Sequence, residues 1–123
     1  MLDYDFENSI GYWIITAHQS YLRAMNEKLA PHGITFRQAQ VLGWLAAEGE
    51  LTQRELAARM LIEPATLVGI LNRAEHAGLI KRHVNHSDRR YNQIQLLPGA
   101  QGAWQRMVEC GREMRAQATS GLS

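Results

Sequence analysis

The sequence predicts a mainly helical domain with one small antiparallel β-hairpin. Three observations lead there. Apolar residues recur at helical spacing in five separate segments. The period then shortens to two around residues 80–85 and 91–97, on either side of a polar, turn-rich stretch. A short capped helix, a tight turn and a second helix stand immediately before that hairpin.

The first helical segment carries Ile10, Trp13, Ile14, Ala17, Tyr21, Ala24 and Leu29 on a 3.6-residue period, and Pro31 and Gly33 end it. Thr35-Phe36-Arg37-Gln38 reads as a capping box opening a second helix, with Val41, Leu42, Leu45 and Ala46 inward and Gly49 at its close. Thr52-Gln53-Arg54-Glu55 is a second capping box. It opens a short helix with Leu56, Ala57 and Met60 inward. Pro64 suits the first turn of the next helix, where no backbone N–H is needed. The inward stripe of that helix is Leu67, Ile70, Leu71 and Ala74, and Gly78 is its left-handed stop. Ile80 to Asn85 and Tyr91 to Leu97 are the hairpin strands, with His86-Ser87-Asp88-Arg89-Arg90 at the tip. Pro98-Gly99 breaks the second strand. Ala100, Ala103, Trp104, Met107, Gly111, Met114 and Ala118 mark the last helix.

Composition bounds the function. The 123 residues are 46% hydrophobic and 20% charged, which suits one folded domain and excludes a disordered chain. No apolar run approaches the ~20 residues of a membrane span. The acidic start, Met-Leu-Asp-Tyr-Asp-Phe-Glu, is unlike a secretory leader, and the single cysteine, Cys110, excludes an internal disulfide; a cytoplasmic location is expected. The net charge is only +1, but it is unevenly spread. Residues 1–50 carry three basic and six acidic groups (−3), residues 51–97 seven and four (+3), and residues 98–123 three and two (+1). The excess of positive charge thus falls on the helix pair and the hairpin, the footprint of a polyanion binder. A helix-turn-helix places its second helix in the DNA major groove, and the adjoining hairpin would bring Arg89 and Arg90 to the flanking minor groove.

The runs Leu51-Thr52-Gln53-Arg54-Glu55-Leu56-Ala57, Ile62-Glu63-Pro64-Ala65-Thr66-Leu67-Val68, Ala77-Gly78-Leu79-Ile80-Lys81-Arg82 and Asp88-Arg89-Arg90, in this order and spacing, resemble the MarR family of winged helix-turn-helix regulators, and its SlyA-like branch in particular. Gly11-Tyr12-Trp13 and the Thr35–Leu45 helix also fit, so the resemblance covers nearly the whole chain. It implies a single domain over 1–123: a dimerisation helix over 5–30, a winged helix-turn-helix over 35–97 and a C-terminal dimerisation helix over 99–118. The final helix that completes the dimer in the family is expected to lie beyond this sequence; the alternative is a dimer built from the first and last helices present. The resemblance further implies a bacterial transcriptional regulator, a repressor, that binds a pseudo-palindromic double-stranded operator as a homodimer and is released by a small aromatic or phenolic effector.

Carried over residue by residue, Pro64, Ala65 and Thr66 open the recognition helix. Thr66 would hydrogen-bond a base edge or phosphate, and Ala65 would pack on a thymine methyl. Gln53 is a phosphate or base contact, and Arg73 falls to phosphate. Ser87, Asp88, Arg89 and Arg90 form the wing signature, in which Asp88 holds one arginine while another enters the minor groove. The sequence departs from the family at Gly69, where many members carry an arginine able to read guanine. That departure, with the low net charge, keeps open an alternative: a winged-helix module for protein contact that has lost DNA binding.

Tyr12, Trp13, Trp44 and Trp104 are either core and interface packing or the lining of an effector pocket. His18 is either a satisfied or exposed histidine or the partner of an acidic effector. Cys110 reads as buried packing, because no basic neighbour lowers its pKa. His76, His83 and His86 do not have metal-ligand spacing, so no metal or other cofactor is expected. Paired carboxylates, a phosphate-cradling loop and a nucleophile–base motif are missing, so no enzymatic activity is expected.

Overall fold

The structure is a computed structural model and describes residues 5, 8–84 and 92–120. The order is α1 (Ile10–Leu29), a 3-10 turn (Ala30–His32), α2 (Phe36–Glu48), β1 (Leu51–Thr52), α3 (Gln53–Met60), α4 (Pro64–His76), β2 (Ile80–Val84), β3 (Asn92–Leu96) and α5 (Ala100–Thr119). Each helix predicted from the apolar period is present, although α1 starts at Ile10 rather than near residue 5.

Both capping boxes form. The Thr35 hydroxyl accepts from the Gln38 N–H at 3.1 Å while Gln38 Oε1 accepts from the Thr35 N–H at 3.0 Å. Thr52 and Glu55 exchange the same pair of bonds at 3.0 Å each. A further orphan donor of α2, the Phe36 N–H, is satisfied from α1 by Asn26 Oδ1 at 2.8 Å. α4 ends in a Schellman motif: Gly78, at φ 77°, donates to Glu75 O, and the Leu79 N–H donates to Ala74 O, both at 3.0 Å. Leu79 folds back into the core behind it.

The sheet departs from the expected two-stranded hairpin. It has three strands in the order β1-β3-β2, all antiparallel. β1 is two residues long, too short to show an alternation in sequence. It pairs Leu51 with Ile94 and Thr52 with Gln93, and both Leu51 and Ile94 are buried. The hairpin register is Ile80↔Leu96 through Val84↔Asn92.

Two apolar clusters form the core. The larger joins Val41, Leu42 and Leu45 of α2 to α3, α4, the sheet and the start of α5. The smaller joins Met25 and Leu29 of α1, Ile34, Ala39 of α2 and Cys110 of α5. α2 is common to both. Ala46, expected inward, is exposed: its side of α2 opens on a groove beside Trp104.

Gly69, in the middle of α4, and Gly78, at its end, separate space from backbone. A Cβ at either position meets nothing within 4 Å, but only Gly78 has positive φ. Gly69→Ala should therefore stabilise the protein by about 1 kcal/mol through helix propensity. Gly78→Ala should destabilise it by about 1–2 kcal/mol, the cost of a left-handed L-residue. Thermal melts of the two variants should move in opposite directions.

Candidate nucleic-acid interface

Burial fixes how α4 is rolled. Leu67, Leu71 and Ala74 are fully buried, so the opposite side of the helix must face solvent. That side presents Ala65, Thr66, Val68, Gly69, Asn72, Arg73 and His76, all exposed. α3 crosses behind it and is joined to it by a tight turn, in which Leu61 takes a left-handed conformation (φ 57°) with its side chain 90% exposed. The Ile62 N–H closes the turn on Ala57 O at 3.1 Å. α4 then starts at Pro64 without a side-chain cap, so its first turn is open to solvent.

The sequence-predicted Pro64, Ala65, Thr66 and Arg73 all lie on exposed α4 surface. Gln53 is half-buried at the start of α3, beside exposed Arg54. Ser87, Asp88, Arg89 and Arg90 lie outside the described residues.

The structure adds a network that the sequence reading did not assemble. Arg82 of β2 reaches back to α4. Its Nη2 donates to Asn72 Oδ1 at 2.7 Å and to Glu75 Oε1 at 3.1 Å, and its backbone N–H donates to Glu75 Oε2 at 3.0 Å. The wing strand and the recognition-like helix are thus held by one guanidinium and one carboxylate. Arg82 and Glu75 are seven residues apart across a helix stop, where no helical or strand period brings them together. Arg59 is similarly engaged, with Nε and Nη2 on the two carboxylate oxygens of Glu48 at 2.9 and 3.1 Å. Among the described residues, the cations of this lobe left exposed and unpaired are Arg54, Arg73 and Lys81.

Away from this face, a cleft of about 460 Å³ lies between α1, α2 and α5. Tyr21, Met25, Phe36, Trp44 and Met107 contribute to its lining. Tyr21 and Phe36 meet edge to face at 5.8 Å. Of the predicted aromatic and histidine candidates, only Trp44 borders this cleft. Trp104 instead lays its ring against Gly43, where a Cβ would meet it at 3.4 Å. Tyr12 and Trp13 stack edge to face at 5.5 Å on the exposed first turns of α1, and His18 is exposed one to two turns further on. Cys110 is buried, with Sγ 3.8 Å from Lys28 O, and burial followed by the nearby Glu113 raises its pKa, keeping the thiol protonated. Among the described residues no group of His, Cys, Asp and Glu could hold a metal, and no helix is long and apolar enough to cross a membrane.

The helix pair, the three-stranded sheet and the Arg82 link can be set against known proteins. The MarR family profile matches residues 32–90, from the end of the 3-10 turn past β2. Over those residues, just under half of its length, the chain is similar to the MarR family. It is similar to the transcriptional regulator TtmR of Methylorubrum extorquens, 28% identical over 96 residues, covering 78% of this chain and 49% of TtmR. It therefore spans about half the length of that relative. The transcriptional repressor NicR of Pseudomonas putida is 22% identical over 120 residues, covering 98% of this chain and 76% of NicR. Among solved structures, a mutant MarR from E. coli complexed with operator DNA superposes with a TM-score of 0.83 at 25% identity, covering 93% of this chain and 82% of that one.

The acid response of this lobe follows from its carboxylates. The Arg82 guanidinium, then the Arg82 N–H, hold Glu75 below the ordinary value of 4.5. The Thr52 N–H, then its hydroxyl, hold Glu55 below it as well. A lowered native pKa contributes stability that is complete above the unfolded value and is lost as pH falls through the native one. The melting temperature should therefore fall once pH drops below about 4.5. Glu75→Gln should melt lower at neutral pH and show a shallower acid limb, as followed by circular dichroism.

Proposed function

We propose that this protein is a MarR-family, double-stranded DNA-binding transcriptional regulator of the SlyA-like branch, without enzymatic activity, working in the cytoplasm as a repressor on a pseudo-palindromic operator. The observation that carries the reading is the outward face of α4. It is locked in place by a fully buried opposite face and is tied to the wing strand through Arg82. Pro64, Ala65 and Thr66 open that face. Arg73 stands farther along it as a phosphate contact, Gln53 adds a contact from the start of α3, and Ser87, Asp88, Arg89 and Arg90 serve as the wing. E. coli MarR with operator DNA and the repressor name of NicR support this use of the fold.

A homodimer supplies the second half-site. The face of α1 that carries Ile10, Trp13 and Ile14 supports it, since these side chains are 79%, 58% and 62% exposed in the single chain. α5 packs alongside α1, and the Lys28–Glu113 ion pair at 3.0 Å joins the two. The roles of the terminal helices in dimerisation, over 5–30 and 99–118, belong to this proposal. The cleft lined by Tyr21, Phe36 and Trp44 takes a small aromatic or phenolic effector.

Selection of duplexes from a random pool, followed by band shifts, tests the DNA reading. Binding should weaken steeply with salt, with a log–log slope of about −0.9 per neutralised phosphate. Arg73→Ala should weaken all duplexes alike and reduce the slope by about 1, whereas Thr66→Ala should change which duplexes are preferred. A pool from which no duplex is retained at low salt overturns the reading in favour of a protein-contact module. For the cleft, a phenolic acid at millimolar concentration should raise the melting temperature by mass action. Trp44→Ala should remove that rise.

A further inference from the structure

We propose that the cleft between α1, α2 and α5 selects an uncharged aromatic molecule and disfavours the carboxylate of the same shape. The inference rests on the effector reading of the cleft and adds the charge class of what it takes. At about 460 Å³ the cleft has the size of a small-molecule site. Met25 from α1, Ala39 and Ala47 from α2, and Met107 and Val108 from α5 give it hydrocarbon walls. The polar groups on its lining side chains are the Tyr21 hydroxyl, the Gln40 amide and the Trp44 indole N–H. Among the described residues that line it, none carries a formal charge. An ionised carboxylate placed there leaves water without gaining a cation, which is costly. An amide on the same ring brings no charge and still accepts a hydrogen bond.

The positive potential near the cleft is largely spent within the protein. The N-terminus of α2, beside Phe36, would ordinarily attract an anion. Its donors are taken from inside: Asn26 Oδ1 accepts from the Phe36 N–H at 2.8 Å, and the capping box takes the Thr35 and Gln38 N–H groups at 3.0 and 3.1 Å. Arg37, on the same turn, donates through Nη1 to Gln40 Oε1 at 3.0 Å. That bond occupies the Gln40 carbonyl and leaves its Nε2 group as a donor for an uncharged acceptor. On α1, Lys28 stands one turn beyond Met25 and is paired with Glu113 at 3.0 Å. A carboxylate at the cleft would have to recruit exposed Arg112, beside Gly111 of the lining, or pull Arg37 away from Gln40. A phenolic acid is therefore a weak ligand beside its neutral counterpart.

The test compares para-hydroxybenzamide with para-hydroxybenzoate, which share ring, hydroxyl and shape and differ in charge. Isothermal titration of the full chain at neutral pH measures both. The amide should bind about 10-fold more tightly or better, the ratio that follows from leaving a buried charged group unpaired. Trp44→Ala should weaken both. Gln40→Lys, which places an ammonium on the lining, should bring the benzoate at least level with the benzamide, in a chain whose circular dichroism is unchanged. Arg37→Ala and Arg112→Ala should leave the original preference in place. A benzoate that binds the unaltered chain as tightly as the benzamide overturns the inference alone. So does a preference for the benzamide that persists in folded Gln40→Lys, because charge is then not its cause. A loss of benzoate affinity in Arg37→Ala or Arg112→Ala overturns it too, since a cation then serves the carboxylate. Benzamide binding that Trp44→Ala leaves undiminished lies outside the cleft and has the same consequence. A chain whose melting temperature responds to neither molecule at millimolar concentration overturns the inference together with the effector reading.

Discussion

The burial of one side of α4 is the constraint from which the working surface follows. Leu67 and Leu71 have no exposed surface, and each contributes about 1.5–3 kcal/mol relative to remaining in solvent. Turning the helix by a single residue would move both out of the core and bring in either Thr66 and Ile70 or Val68 and Asn72. The roll of α4 is therefore held by many packed contacts, and the residues it presents outward are a consequence of that packing. The Schellman stop at Gly78 then sends the chain directly into β2, so the distance between helix and wing is set by a few residues.

Charge plays a narrower part than its distribution in sequence suggests. The segment 51–97 carries a surplus of +3, yet Arg59 and Arg82 in it are engaged by Glu48 and Glu75. Such partly exposed pairs contribute little net stability. Their effect is geometric: Arg59 ties α3 to the end of α2, and Arg82 ties the wing strand to α4. Among the described residues these pairs leave Arg54, Arg73 and Lys81 as the exposed, unpaired cations of the lobe.

α2 links the two apolar clusters. One of its sides packs under α3 and α4, and Ala39 packs into the cluster with α1 and α5. The aromatic cleft lies against the same helix. Trp104 packs beside Gly43 there, at a distance where a Cβ would make ordinary van der Waals contact.

Helices, caps and stops were legible in the residues because each is a local matter. Apolar period, Thr35 and Thr52 as N-caps, Pro64 at a first turn and Gly78 at a last one all act within a few residues of themselves. The inward set of α4 followed from the period, and with it the exposed Ala65, Thr66 and Arg73. Contacts between distant segments were not legible. β1 is two residues long and exists only because β3 pairs with it. Ala46 fits the inward period of α2 but faces an open groove. The cleft recruits Tyr21, Phe36 and Met107 from three segments, while Tyr12 and Trp13, equally aromatic in sequence, stand outside it. Nothing local in the sequence ties Arg82 to Asn72 and Glu75, between which the fold places it. Local pattern records where a side chain points relative to its own helix or strand. Which neighbour it then meets depends on how the elements pack, and packing is settled only when the whole chain closes on its core.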